Sequence, residues 1–519
     1  MNVASPDPAE SSAPPASAQP AGTAYRTHPD HHGDHQRGGP RVAVVGGGIA
    51  GLAAAAELTR RRPDLEITVL EAGPRVGGKL HRAEVGGVTV DVGAEAMLNR
   101  RPEAVGLARA AGLGERLVHP RATSAQLWSR GRLVAMPRTL MGVPTDARAL
   151  AESGVLSAAG LARAALDSVL PPTRLGEEDV SVGWLVEERF GREVVDRLVE
   201  PLLGGVYAGH ARELSARAAV PQVVALLDDD KSMLKSAARA TRTPSDVPVF
   251  AGLVGGVGQL PGAVVDAFDL RVRTGATVRD LARRESGGWN LVVGSTRDPE
   301  VVQVDGVVLA APARPSARLL SDVLPDAALE LARIEYASMA IVTLAFRARE
   351  FPETRGSGFL VPPVDGRAIK AATLSFAKWD WVREAGRDVG GDGGGHADLV
   401  LLRCSLGRHR EEATLQVDDD VLVDRALEDL TAAIGLSVRP VDWHVQRWGG
   451  ALPQYAVGHL DRVAHVRAAV DGAAGLAVCG AAYDGLGVPA CIASAHRAVD
   501  KLLGDLDSDA LGRGGRMVP

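Results

Sequence analysis

Arg41-Val-Ala-Val-Val-Gly-Gly-Gly-Ile-Ala-Gly51 is the stretch that decides the fold. Arg41–Val45 is a short apolar, β-branched run and reads as a buried parallel strand. Gly46, Gly48 and Gly51 let the backbone turn tightly, approach a pyrophosphate and pack a helix against the strand. Ile49–Arg62 is rich in alanine and leucine and predicts that helix, whose first N–H groups and dipole would face the phosphates. Glu66–Leu70 predicts the next strand, closed by Glu71. A carboxylate about 20 residues past the glycines suits ribose hydroxyls and repels a 2′-phosphate. A lone Gly-x-Gly-x-x-Gly is weak evidence; strand, turn, helix, strand and acid in this order are specific.

Two further elements bear on which dinucleotide is bound. Arg75-Val-Gly-Gly78 follows Glu71 and resembles the Arg-x-Gly-Gly element of the large flavin oxidoreductase superfamily that includes the monoamine oxidases. There, a basic group and close backbone support the diphosphate and the flavin. His81–Val85 and Val88–Val92 alternate around Gly86-Gly87 and predict a hairpin. It delivers Gly93-Ala-Glu-Ala96, which lacks bulk at its first two positions and could press backbone against an isoalloxazine. Near the other end, Val478-Cys-Gly-Ala-Ala-Tyr-Asp-Gly-Leu-Gly-Val-Pro489 carries a second glycine-rich signature.

The expected fold class is α/β. A Rossmann-like dinucleotide-binding domain of the amine-oxidase superfamily type is combined with an α+β substrate domain and a helical insertion. The binding domain is expected in three pieces, 41–97, 240–311 and 447–519, with Val304–Ala310 a β-branched strand and Ala490–Leu503 a helix. The substrate domain takes 98–137 and 312–446, with strands at Ala340–Phe346 and Leu399–Ser405 and a helix at Val421–Ile434. The helical block takes 138–239. The first 40 residues, rich in Pro, Ala, Ser and Gly, predict a disordered tail without a signal core. Its His28, His31, His32 and His35 read as solvated rather than metal-binding.

A chain of 519 residues has ample length to bury a core, and its net charge of −6 gives no sign of a nucleic-acid partner. Cys404, Cys479 and Cys491 are scattered, without metal spacing, and fit a reduced cytosol. The most charge-poor stretches, Val247–Val265 and Gly472–Ala495, are broken by Gly and Pro and predict no membrane span. The expected location is cytoplasmic, with the apolar faces of the helical block leaving a peripheral membrane contact open.

Three long motifs carry a narrower resemblance. Ser181-Val-Gly-Trp-Leu-Val-Glu-Glu-Arg-Phe-Gly-Arg-Glu-Val-Val-Asp-Arg-Leu-Val-Glu-Pro-Leu-Leu-Gly-Gly-Val-Tyr-Ala-Gly209, followed by Leu214-Ser-Ala-Arg-Ala-Ala219, is similar to the signature of the porphyrinogen oxidases. So are Gln446-Arg-Trp-Gly-Gly-Ala-Leu-Pro-Gln-Tyr-Ala-Val-Gly-His459 and Asp484-Gly-Leu-Gly-Val-Pro-Ala-Cys-Ile492. The resemblance covers nearly everything after the tail. Amine oxidases usually carry Asp directly after the C-terminal glycine. This chain has Ala481 after Gly480, which argues against an amine oxidase. Ser494 stands where relatives often have glycine, and the sequence offers no reason for it.

The resemblance implies non-covalent FAD. Gly46, Gly47, Gly48, Ile49, Ala50 and Gly51 would hold the pyrophosphate, Glu71 and Ala72 the ribose, and Arg75 and Gly78 the diphosphate side. Lys79, Gly93, Ala94, Glu95 and Ala96 would meet the flavin, and Val278 the adenine. Trp448, Gly480, Gly487, Val488 and Pro489 would approach the isoalloxazine and ribityl chain, although Trp448 reads equally well as a core aromatic. For the substrate, Arg101, beside Arg100, would pair a propionate in a fork. A Gly204–Gly209 loop with Gly205 and Tyr207 would line a cavity for the macrocycle. Arg121 is a further candidate cation.

The implied activity is oxidation of coproporphyrinogen III to coproporphyrin III in haem biosynthesis, with hydride passing to flavin N5 and dioxygen reduced to peroxide. No His, Asp or Glu stands out as a general base, and none is named as catalytic. Protoporphyrinogen IX is the alternative substrate. The implied partners are the porphyrinogen, dioxygen and a transient contact with the next enzyme of the haem pathway. A non-catalytic binding protein on the same fold, such as the prenyl-GTPase dissociation inhibitors, is the rival of another class. Retained Glu71, Arg75 and Gly487-Val-Pro489 argue against it.

Overall fold

The computed structural model describes residues 39–242, 247–390 and 397–514. The expected tail and its four histidines lie outside these, apart from Gly39 and Pro40.

Five parallel strands form the central sheet, in the order Arg271–Arg273, Glu66–Leu70, Arg41–Val45, Gly306–Leu309 and Leu476–Val478. Neighbours in this sheet come from three distant parts of the sequence, as the three expected pieces require. Val44 is flanked by Val69 on one side and Val308 on the other. Such β-branched runs are apolar on both faces because both faces are covered. Helix Ile49–Arg61 and the long helix Val488–Gly514 pack together on one side. On the other side Ala43, Val45, Leu70 and Leu309 join a core shared with Trp289, Leu291 and Val293. Those three belong to an antiparallel meander of Val278–Arg283, Trp289–Gly294 and Pro299–Val304.

The strand expected at Val304–Ala310 begins at Gly306, and Val304 ends a separate strand before it. Pro299–Val304 closes the meander and Gly306–Leu309 enters the parallel sheet. Asp305 makes the break: its N–H donates to Arg41 O at 2.8 Å, and its carboxylate accepts from Arg41 N at 2.9 Å.

A seven-stranded sheet forms the second layer system, in the order Asp442–Pro453, Tyr336–Arg347, Leu399–Leu406, Ile369–Thr373, Gly358–Leu360, Gln126–Ser129 and Arg132–Ala135. One face (Val342, Leu344, Phe346, Leu402, Cys404) packs on helix Asp419–Ile434. The first strand, Asp442–Pro453, runs through the boundary expected between 446 and 447. Hairpin Arg82–Val85 and Val88–Asp91 leans on the opposite face through Val85, Val88 and Val90, beside Ala345, Leu399 and Leu401. Gly86 and Gly87 turn it at φ of 59° and 76°, the left-handed pair that a two-residue hairpin turn needs.

The block expected to be helical opens with a short hairpin, Thr139–Leu140 with Val143–Pro144. Its helices then surround Leu185, Val186, Phe190 and Leu198. A buried ion pair staples them: Arg189 Nε donates to Asp167 Oδ1 at 2.7 Å, and both side chains are only 2% exposed. Asp167 also accepts from the Ser232 hydroxyl and from the N–H groups of Met233 and Leu234. The expected Gly204–Gly209 loop is largely helix. Glu200–Tyr207 is helical and continues a π turn at Val195–Val199. Pro201 lacks the N–H an α-turn would use there, and a wide turn absorbs the mismatch. The helix stops at Ala208, whose φ is 49°. Its last carbonyls, rather than a flexible loop, face the neighbouring sheet.

No helix among the described residues is long and apolar enough to cross a membrane.

Candidate active site

The site begins where Arg41–Val45 ends. Gly46 turns at φ of 112°, and a Cβ there would lie 2.9 Å from Ala310 O. A Cβ on Gly51 would lie 1.9 Å from Gly46 O, so only glycine lets the helix start this close to the strand. Above Gly48 nothing lies within 4 Å. No side chain caps helix Ile49–Arg61, which leaves its first N–H groups to whatever sits over Gly48. That is a cradle open on the side where a phosphate belongs.

Glu71 does more than the sequence predicted. Its two carboxylate oxygens accept from Gly47 N and Gly73 N, each at 2.7 Å. It therefore braces both glycine turns, and each oxygen keeps a lone pair for a hydroxyl. Ala72 is exposed beside it. Gly275 N donates to Gly73 O at 2.9 Å and Ala276 N to Glu71 O at 2.8 Å, which brings the start of the strand at Val278 to this edge. The Arg75 guanidinium donates to Val76 O at 3.1 Å and Gly78 O at 2.9 Å. It holds the turn that seats Gly77 N on Gly47 O at 2.7 Å. A Cβ on Gly78 would lie 3.5 Å from Gly48 Cα, so this turn packs close to the first glycine signature.

Lys79 follows. Burial holds its ammonium below the usual lysine range, and no carboxylate pairs with it among the described residues. An unpaired, buried cation beside open helix N–H groups fits a diphosphate well. Gly93 crosses Lys79 so closely that a Cβ would lie 1.9 Å from Lys79 O and 3.2 Å from Trp448 Cζ2. Trp448 Nε1 donates to Val92 O at 3.0 Å, so this aromatic fixes the Gly93 strip. These contacts account for the structural reading of Trp448.

The C-terminal signature closes the ring. Gly480 turns at φ of 125° with nothing within 4 Å of its Cβ position, and Gly487 is exposed just before Val488 and Pro489 open the last helix. Ser494 gains a reason here, since its hydroxyl accepts from Gly480 N at 3.2 Å. Tyr455 holds the same loop: its hydroxyl donates to Ala481 O at 2.6 Å and accepts from Gly485 N at 2.8 Å. The cradle, the unpaired Lys79 and the two glycine signatures all fit FAD.

The structure brings the three candidate arginines to one end of a small sheet. Met97–Leu98 and Leu117–Val118 flank Phe250–Leu253, both antiparallel to it. The chain therefore leaves both outer strands past Phe250, toward Arg100 and Arg101 from one and Arg121 from the other. Arg100 is exposed and forms no ion pair among the described residues. Arg101 is paired with Glu103 at 2.6 Å. Arg121 is exposed, pairs with Asp380 at 3.1 Å and donates its N–H to Lys378 O. Gly205 is exposed, and a Cβ there would lie 3.6 Å from Leu360 Cδ2, on the sheet side of its helix. Tyr207 is buried and its hydroxyl donates to Ala219 O at 3.2 Å, so it offers a ring edge rather than a polar handle.

Several polar groups escaped the sequence reading. Thr343 lies between Arg403 and His444 across the sheet, two residue pairs from Ser405. Thr343 Oγ1, Ser405 Oγ, Arg403 Nε and His444 Nε2 are buried without partners among the described residues. His81 stands edge-on to Trp448 with ring centroids 6.5 Å apart. Burial, helped by Arg75 and His444, pulls its imidazole down to about 4, so it is neutral at pH 7. Glu95 is largely withdrawn from solvent and pairs with Lys378 and Arg403. Strand alternation put Thr343, Arg403 and Ser405 on one face. Nothing local signalled which face would meet the cofactor domain.

Comparison with known proteins agrees. Residues 49–503 match the family of flavin containing amine oxidoreductases. A Mycobacterium leprae protein named coproporphyrinogen III oxidase is 39% identical over 88% of this chain and 97% of its own. A Bacillus subtilis protein of the same name is 31% identical over 90% and 98%. A solved structure from Exiguobacterium sp. 255-15, described as a candidate protoporphyrinogen oxidase, superposes with a TM-score of 0.78 at 31% identity, covering 89% of this chain and 98% of that one. FAD is the cofactor that this family and this cradle share. The chain belongs to the flavin containing amine oxidoreductase family, among its FAD-dependent porphyrinogen oxidases.

Proposed function

We propose that the protein oxidises coproporphyrinogen III to coproporphyrin III with dioxygen. The observation that carries this is one chain holding the FAD cradle and, over nearly its whole length, the sequence of relatives named for that reaction. Bound FAD supplies the hydride acceptor and the centre at which dioxygen is reduced to peroxide. This chain's own part is to bind, orient and enclose. Glu71 and the open helix N–H groups hold the dinucleotide. Gly93–Ala96 presents its small residues, and Gly205 leaves room beside Leu360 for a flat macrocycle. Aromatisation drives the reaction, so orientation matters more than a strong base.

Four propionates distinguish coproporphyrinogen from protoporphyrinogen, which has two. Arg100, Arg101 and Arg121, emerging at one end of the same small sheet, favour the more anionic substrate. Parallel oxygen-uptake assays test this: kcat/KM should be higher for coproporphyrinogen III. A higher value for protoporphyrinogen IX overturns the substrate, and no turnover of either overturns the activity. The flavin is held without a covalent link. Cys491, the thiol nearest Lys79, is buried, and burial pushes it up to about 11, a poor nucleophile at neutral pH. A cytoplasmic location, peripheral contact with a membrane and transient handover of the product to the next pathway enzyme belong to the same reading.

A further inference from the structure

Glu95 is the one acidic residue in the Gly93–Ala96 strip, and its surroundings are unlike those of its neighbours. Its carboxylate accepts from Lys378 Nζ at 2.5 Å and lies 3.4 Å from Arg403 Nη1. Trp379 also donates to it. The two cations hold it below the usual carboxylate range although it is largely withdrawn from solvent. Three elements meet here: the strip, the helical turn Ser375–Lys378 and the strand Leu399–Leu406. Lys378 is itself enclosed, with its Nζ 5.3 Å from the Trp379 ring centroid and 6.0 Å from that of Phe250. Arg403 Nη1 donates to Asp91 O at 3.2 Å while its Nε stays unpartnered. The Asp91 carboxylate faces away, accepting from Val257 N and Gly258 N at 2.8 Å each.

A largely desolvated carboxylate between two cations is an arrangement with a field as well as a shape. Charges screened so little act over several ångströms on any group beside the strip. We infer that Lys378, Glu95 and Arg403 form an electrostatic tuning group for the flavin, the two cations favouring its reduced, more anionic form and Glu95 opposing them. This inference rests on the reading that Gly93–Ala96 faces the flavin. It assigns a redox role to Lys378 and Arg403, which come from a part of the chain far from either glycine signature.

Opposite charges make opposite predictions, and that separates tuning from simple support. In the FAD-loaded protein, Lys378→Met removes a cation and should lower the flavin reduction potential against a reference dye. Glu95→Gln removes the opposing anion and should raise it. A tenfold change in the reduced-to-oxidised ratio at a fixed dye potential corresponds to about 30 mV for a two-electron couple. Lys378→Arg keeps the charge and should stay at the wild-type potential. If Glu95→Gln does not fold, Lys378→Met against Lys378→Arg decides alone. Shifts of the same sign in Lys378→Met and Glu95→Gln, or a wild-type potential in Lys378→Met, overturn the tuning role. Potentials are read without a porphyrinogen, so failure of the proposed substrate would leave this test standing.

Discussion

Glu71 shows how much one carboxylate can carry. It joins the Gly46–Gly48 turn to the Gly73 turn through two charge-assisted hydrogen bonds, each worth roughly 1.5–3 kcal/mol. Glu71→Ala should therefore weaken FAD binding by at least an order of magnitude. Glu71→Gln, which keeps one acceptor, should lose less; equal FAD dissociation constants for the two would contradict the bracing role. Arg101 starts paired with Glu103 in a half-exposed ion pair worth only about 0–1 kcal/mol, which a propionate can displace. Arg101→Ala should raise KM for the porphyrinogen severalfold with FAD retained, and Glu103→Gln should lower it. Loss of flavin with unchanged KM would remove the propionate role.

Lys370 makes a pH-dependent contribution to stability. It is buried, donates to Leu406 O at 3.2 Å and Gly407 O at 2.8 Å, and has its pKa pulled by burial from 10.5 to about 7. The unfolded chain binds this proton up to about 10.5, the folded chain only up to about 7. Stability from this group thus rises with pH across that window, falls as pH drops from about 10.5 to about 7, and levels off below 7, where both states carry the proton. The gain between pH 7 and pH 9 is about 2 kcal/mol. Denaturant unfolding of Lys370→Met should lack that gain. An unchanged pH dependence would show that the amine stays charged.

At the scale of elements, the helical block depends on a polar staple that its apolar pattern does not reveal. Arg189 and Asp167 are both buried, and the Asp167 carboxylate accepts from Arg189, the Ser232 hydroxyl and the N–H groups of Met233 and Leu234. Asp167→Ala leaves the guanidinium uncompensated and should cost about 3–5 kcal/mol. Thermal unfolding reads this directly, and a melting temperature near wild type would mean that Arg189 finds another acceptor. The neighbouring helix 200–207 owes its wide turn to Pro201. It thereby delivers Gly205 at an exposed position and Tyr207 at a buried one.

Over the whole molecule, the parallel sheet collects strands from both ends and the middle of the chain, and the glycine signatures at residues 46–51 and 480–489 close on one site. On the proposed reading the cofactor is held by this closure, without a covalent bond. Acid denaturation should release yellow FAD into the supernatant, whereas colour kept in the precipitate would mean a covalent link.

Arg41–Glu71 could be read from sequence because each requirement is local: a β-branched run, glycines where a Cβ would strike backbone, and an acid at a strand end. The hairpin around Gly86-Gly87, the strands Tyr336–Arg347 and Leu399–Leu406 and the helix Asp419–Ile434 were legible for the same reason, through period and turn chemistry. The break at Asp305 was hidden, because Arg41, which pairs with it, lies 264 residues away. Glu95 and Lys378 are 283 residues apart, and Ser494 meets Gly480 only across a helix start. Sequence by itself determined the strand–turn–helix cradle and the cofactor class. Which polar groups surround the flavin strip was decided by tertiary packing, because burial and charge pairing are properties of neighbours in space that no local pattern records.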